Sequence, residues 1–256
     1  MKTPKYIYLL GGCALLVSTV VSAYVLLSPA RTWQNTPTYI VDARGNSTIN
    51  DNDGGATATV NAITSGVAWN SAGSGEVVKA QKGSVATFTL GDGIPMLNFE
   101  DPTGQCSGSC LAATFTGFYE RAGKGRSRNT YIRDADIVTN TAYNWTSQSE
   151  DPNGSGCANE FYIEGVQVHE IGHGLGLGHT DVGGATMFPS VAACNNGPAT
   201  IAADDANGIL ALYGSDGGGG GGGGSCELGQ AGDSCTANSQ CCSGKCRGKG
   251  GSQSCR

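Results

Sequence analysis

At 256 residues the chain has room for one principal domain plus appendages. Only 14% of its residues are charged and 42 are glycine, a loop-rich composition that suits an exported protein better than a helical cytosolic one. The net charge of −6, with no long basic run past the N-terminus, argues against nucleic acid as a partner.

The N-terminus reads as a targeting segment. Lys2 and Lys5 precede an uncharged stretch from Tyr6 to Leu27, and Val21-Ser22-Ala23 puts small residues before a signal-peptidase cut. A signal peptide over 1–23 and a secreted, extracellular product are expected. The apolar stretch is longer than a usual signal core, so a membrane anchor with the protein facing outside is the alternative. Leu10-Gly11-Gly12-Cys13 also faintly resembles a lipoprotein cleavage box. All three readings export the chain. Of the eleven cysteines, Cys13 lies in this segment and the other ten are an even number, as disulfides in an oxidising compartment require. Asn46-Ser47-Thr48, Asn144-Trp145-Thr146 and Asn153-Gly154-Ser155 have the form of glycosylation acceptors.

The main body, 24–215, opens with Trp33 and a strand-like Thr38–Val41. A helix is expected from about Ala56 to Trp69, with Val60, Ile63, Val67 and Ala68 as its apolar stripe. Strand candidates follow at Val85–Leu90, Met96–Phe99, Leu111–Phe115 and Ala135–Thr139. A helix then begins after Asn159, read as its cap, and covers Val166–Gly174. The last element is a helix over Ala202–Tyr213, whose first turn carries Asp204 and Asp205 at the favourable end of the dipole. Helix, strands, helix, irregular loop and final helix make a mixed α and β layout.

All three histidines fall in one stretch, His169-Glu170-Ile171-Gly172-His173-Gly174-Leu175-Gly176-Leu177-Gly178-His179. Residues four apart share a helix face, so His169 and His173 can grip one ion from one side. Glu170 follows the first of them and can lean over an open coordination position. Gly176 is the natural point for the chain to turn back and bring up His179. Gly172 in mid-helix costs roughly 1 kcal/mol against alanine, which suggests close backbone packing at this point. Three neutral imidazoles are a ligand set that leaves zinc's fourth position open. In the body, four cysteines allow three pairings; Cys106–Cys110 with Cys157–Cys194 is preferred, the second tethering the loop after Met187 to the helix.

Asp216 and Gly217–Gly224 form a flexible linker, 216–225, ahead of a short segment, 226–256. Cys226, Cys235, Cys241, Cys242, Cys246 and Cys255 must hold that segment, which is too short to bury a core of its own. Lys245, Arg247, Lys249 and Arg256 outnumber Glu227 and Asp233 there. They read as a basic face for an anionic surface or polymer, or as solvated charge on a stable cap.

The histidine string has the HExxHxxGxxH form of the metzincin zinc proteases, with Ala185-Thr186-Met187-Phe188-Pro189 at the distance of the methionine turn. From Trp33 to Gly214 the body resembles the matrixins, most closely in His169–His179, the Met187 turn and Ala203–Gly214 with its paired aspartates and Leu-Tyr-Gly end. That resemblance implies an α+β catalytic domain of metzincin type: a twisted mixed sheet, an active-site helix and a C-terminal helix. It implies His169, His173 and His179 as ligands of one catalytic Zn2+, Glu170 as catalytic base, and Met187 as the floor beneath the metal. Asp204 and Asp205 would tie the last helix to the methionine turn and to the mature N-terminus, the division between them left open. Phe188 and Pro189 would begin the wall of the specificity pocket, and Ala135–Val138 looks like the edge strand along which a substrate would pair. Thr180 and Asp181 replace the serine usual after the third histidine, so the subfamily stays open. Asp181 reads either as an acceptor for a ligand imidazole or as a turn-making loop residue. No room is seen for a large propeptide before Trp33, no cysteine there could block the metal, and no histidine remains for a second, structural zinc. Calcium on carboxylates and carbonyls stays open. The tail resembles the knottins, which implies Cys226–Cys242, Cys235–Cys246 and Cys241–Cys255 among fifteen connectivities.

These readings make the chain a secreted, monomeric zinc endopeptidase acting on protein or peptide substrates. Zinc lowers the pKa of bound water towards ~7, and Glu170 moves the water's proton to the leaving amine. The alternative is a catalytically silent secreted protein that presents the knottin module. A deformylase-type hydrolase is disfavoured by His179 and Met187.

Overall fold

The computed structural model describes residues 24–84, 87–123, 128–214, 246–249 and 252–255. The expected signal peptide or anchor, the glycine linker and the three tail disulfides lie outside the described residues. No described helix is long and apolar enough to cross a membrane.

In chain order the body runs β1 (Val25–Leu26), β2 (Arg31–Trp33), β3 (Thr38–Asp42), α1 (Ala56–Thr64), a 3-10 turn (Trp69–Ser71), β4 (Lys79–Gly83), β5 (Met96–Leu97), β6 (Ala112–Ala122), β7 (Arg128–Thr139), β8 (Trp145–Thr146), β9 (Phe161–Tyr162), α2 (Ile163–Gly174), β10 (Leu177–Gly178), a second 3-10 turn (Gly197–Ala199) and α3 (Ala203–Tyr213). In the tail, β11 (Cys246–Lys249) pairs antiparallel with β12 (Ser252–Cys255). The main sheet has the order β2-β7-β5-β3-β4, all parallel, and β6 adds to β7 antiparallel. The sheet is thus parallel except for one strand, and α1 and α2 share a core with it. Tyr39 and Val41 of β3, Leu97 of β5 and Ala135 and Ile137 of β7 are buried in one cluster with Ile63 of α1 and Val168, Ile171 and Leu175 at α2.

Four readings of the sequence need correction. The helix expected to reach Trp69 stops at Thr64, and Ser65 is already extended. Val67 is exposed, and Trp69 opens a separate turn that buries its ring and donates Nε1–H to Val168 O at 2.8 Å. Of the strand expected at Val85–Leu90, residues 85–86 lie outside the described residues and 87–90 form no strand; the strand here is β4, in register from Thr38↔Lys79 to Asp42↔Gly83. Its Lys-Ala-Gln-Lys-Gly sequence lacks apolar alternation because β4 is an edge strand, where charge discourages further pairing. Asn159 is not the cap of α2: it takes φ 66, β9 follows it, and Tyr162 occupies the cap position. Ala135–Val138 is not the edge strand. It belongs to β7, which pairs with β6 on one side and with β2 and β5 on the other, so the edge is β6.

Asn46 is buried, and its Oδ1 accepts Thr48 N–H at 2.9 Å and Thr48 Oγ1–H at 2.7 Å. That turn buries the acceptor asparagine of the first glycosylation tripeptide while Ser47 and Thr48 stay exposed, whereas Asn144 and Asn153 are exposed.

Candidate metal centre

Helix α2 runs through the core, and ten of its twelve residues are buried. Burial this complete leaves little amphipathic pattern, and places His169 and His173 at the helix's one open face. Side chains from elsewhere take up carbonyls at its C-terminal end: Trp33 Nε1–H donates to Gly174 O at 2.8 Å and Tyr213 O–H to Leu175 O at 2.7 Å. The chain then turns at Gly176, φ 108, where a Cβ would collide with Arg31 O. β10 follows and delivers His179.

The three imidazoles converge. His179 Nε2 lies 3.3 Å from His169 Nε2 and 3.1 Å from His173 Nε2. Among the described residues they form the one group of three His, Cys, Asp or Glu side chains whose ligand atoms lie within 4.8 Å of one another. The other ring nitrogens fix the tautomers. His169 Nδ1 lies 2.6 Å from Thr186 O and His173 Nδ1 2.9 Å from Leu177 O; each carbonyl can only accept, so each Nδ1 carries the proton. Both Nε2 atoms therefore present lone pairs to the point that His179 also faces. Tetrahedral zinc with Zn–N of about 2.0–2.1 Å separates its ligand nitrogens by about 3.4 Å, close to the distances found. Burial, with His169 adding to it, holds the His173 pKa below its ordinary value; burial and then His173 do the same for His179. Both shifts favour the neutral, ligating form. The donor set thus fits zinc. The two imidazole partners are main-chain carbonyls, and Asp181 is exposed.

The methionine turn is built against this cluster. Met187 is buried, and a Cβ on Gly172 would run into its Sδ and into the Trp69 ring, which accounts for glycine inside the helix. Asp205 divides its carboxylate among three main-chain donors: Oδ1 accepts Met187 N–H at 3.0 Å, and Oδ2 accepts Thr186 N–H and Ala202 N–H at 2.8 Å each. Asp204 instead takes the side chain of Thr180 and the main-chain N–H of Tyr24, and burial raises its pKa. The aspartates therefore divide the work, Asp205 to the methionine turn and Asp204 to the start of the described body.

Beside His169, Glu170 and His179 opens a cavity of ≈ 360 Å³. Phe188 and Pro189 line it. Sequence reasoning missed the rest of its apolar wall: Leu111, Tyr143, Phe161, Val166, Val191 and Pro198. These come from five separate segments, and no local pattern marks them. Two disulfides frame the cavity. Cys106–Cys110 (Cα–Cα 5.2 Å) leads into β6, and Cys110 lines the cavity. Cys157–Cys194 (Cα–Cα 5.6 Å) joins the segment before α2 to the loop that carries Val191. Thr114 of β6 was also missed; its hydroxyl lies 2.6 Å from Glu170 Oε2.

Comparison with known proteins agrees with this geometry. Residues 122–214 match the matrixin family. Metalloendoproteinase 5-MMP of Arabidopsis thaliana is 49% identical over 54 residues, 21% of this chain and 15% of its own length. Matrix metalloproteinase-2 of Drosophila melanogaster is 34% identical over 99 residues, 38% of this chain and 11% of its own. Interstitial collagenase of Oryctolagus cuniculus is 30% identical over 139 residues, 54% of this chain and 24% of its own. The chain thus spans a quarter or less of the length of these relatives. The family match covers the three histidines, the Met187 turn and the aspartate pair, and together with the metalloendoproteinase relatives it supports a matrixin-like metalloprotease.

Proposed function

We propose that the chain is an exported zinc endopeptidase in which His169, His173 and His179 hold one Zn2+ and Glu170 is the general base. The observation that carries this reading is the convergence of three Nε2 atoms, those of His169 and His173 presenting lone pairs because Thr186 O and Leu177 O set their tautomers, beside Glu170 at the mouth of a cavity. Zinc bound there supplies a Lewis acid that acidifies water and polarises a carbonyl. Glu170 takes the proton of the attacking water and delivers it to the leaving amine. Edge strand β6 offers its free side to an extended substrate, and the apolar cavity takes the side chain that follows the scissile bond. Met187 supports the ligands from below. Cleavage after Ala23 would turn the Tyr24 N–H beside Asp204 into an ammonium, a stronger partner for that half-buried carboxylate.

A casein-gel assay with and without a zinc chelator, run on the wild type and Glu170→Ala, tests the reading. The wild type is expected to clear casein only without chelator. Glu170→Ala is expected to keep one zinc per chain and lose about 10²–10⁴ of the rate. Normal turnover by that variant, or chelator-resistant clearing, would overturn the assignment; absence of wild-type activity would favour a silent binding protein.

A further inference from the structure

The base and the strand offered to the substrate are joined by one side chain. On β6, Ala112, Thr114 and Thr116 alternate with Ala113 and Phe115, and the first set points towards the helix side: Ala112 lines the cavity, Thr114 reaches Glu170, and Thr116 Oγ1 accepts from Arg31 Nη1–H at 3.2 Å. Thr114 Oγ1 lies 2.6 Å from Glu170 Oε2 and 2.9 Å from Glu170 O. A hydroxyl has one proton to give, and 2.6 Å falls in the range of an O–H···O⁻ bond, about 2.5–2.7 Å, so the carboxylate takes it. Thr114 is itself fixed, being β-branched and paired in register with Ile137 of β7. Glutamate on a helix surface is otherwise a long side chain with several rotamers.

We infer that Thr114 is a positioning residue for the base: its hydroxyl holds Glu170 Oε2 and leaves Oε1 to carry the proton. The inference rests on Glu170 being the general base. In the first step a water O–H bond breaks, its proton goes to Oε1, the oxygen bonds to the substrate carbonyl carbon, and the C=O π pair moves onto the carbonyl oxygen. In the second that pair re-forms C=O, the C–N bond breaks with its pair on nitrogen, and the proton passes from Oε1 to the departing nitrogen. Because the same strand pairs with the substrate, Thr114 places base and scissile bond in one frame, so a shift of β6 moves both together.

The test compares Thr114→Val, which keeps the branch and loses the hydroxyl, with Thr114→Ala and Thr114→Ser, all as the full chain. Valine and alanine are expected to lower kcat about 10–100-fold, within the cost of a misplaced catalytic group, with KM within about twofold and one zinc per chain retained. Serine is expected to stay within about threefold of the wild type. Crystals of metal-free Thr114→Val should show the Glu170 carboxylate in more than one orientation, and crystals of the metal-free wild type only one. A valine variant with wild-type kcat, serine as slow as valine, or an unmoved Glu170 would overturn the inference. If instead Glu170→Ala turns over normally, the base assignment fails and takes this inference with it. If Glu170→Ala is inactive and Thr114→Val is normal, the inference about Thr114 alone falls.

Discussion

Replacing Asp205 tests how the methionine turn is held. The side chain is 1% exposed and accepts three main-chain N–H groups, from Thr186, Met187 and Ala202. Each buried donor left unpaired costs about 1–3 kcal/mol, so Asp205→Ala is expected to lose about 3–6 kcal/mol, Ala202 being only partly buried. That is a large share of a domain stability of about 5–15 kcal/mol. Asparagine can place its oxygen where Oδ2 sits, keep the Thr186 and Ala202 bonds, and turn its amide against Met187 N–H. Asp205→Asn should therefore lose only about 1–3 kcal/mol. The effect should reach the metal, because Thr186 O holds the His169 imidazole at 2.6 Å, and loss of such an outer partner lowers affinity about 10–100-fold. Urea unfolding followed by tryptophan fluorescence reads the first effect, since Trp69 and Trp145 are buried; competition with a chromophoric chelator reads the second. Equal losses for alanine and asparagine, or unchanged zinc affinity in both, would refute the reasoning.

Gly172→Ala gains about 1 kcal/mol of helix propensity but sets a Cβ against Met187 Sδ and the Trp69 ring, so a net loss of about 2 kcal/mol is expected in thermal unfolding. A higher Tm would show that the methionine floor gives way freely. Asp136 is pushed up to about 7 by burial and then by the neighbouring Asp134 charge. The folded chain therefore holds that proton more tightly than the unfolded one, so this group's contribution to stability is full below about pH 4 and is lost as pH rises towards 7. Urea midpoints of the wild type minus those of Asp136→Asn, taken between pH 4 and 8, should fall across that window; a flat or rising difference would contradict the burial argument.

The geometry of the candidate site was legible in the sequence where it depends on chain-local spacing. His169 and His173 sit one helical turn apart, and Gly176 and Gly172 are required by a turn and a close approach that only glycine allows. The Met187 turn and the aspartate pair were legible through the family resemblance. What spacing could not supply was long-range pairing. Nothing local separates β6 from β7 as the edge strand, because both carry apolar runs and only the register with β2 and β5 decides. The charged β4 went unseen because an edge strand need not alternate. Thr114 stands 56 residues before Glu170, and the contact exists only once β6 has docked on β7. Asn46 shows the reverse case, a motif legible in the sequence whose acceptor side chain its own turn buries.

X-ray absorption at the zinc edge of the loaded full chain addresses the coordination cage most directly. The expected spectrum has three imidazole nitrogens and one further light atom at about 2.0–2.1 Å, and His179→Ala should lose most of its bound zinc. Sulfur in the coordination shell, or full zinc occupancy in His179→Ala, would contradict the account.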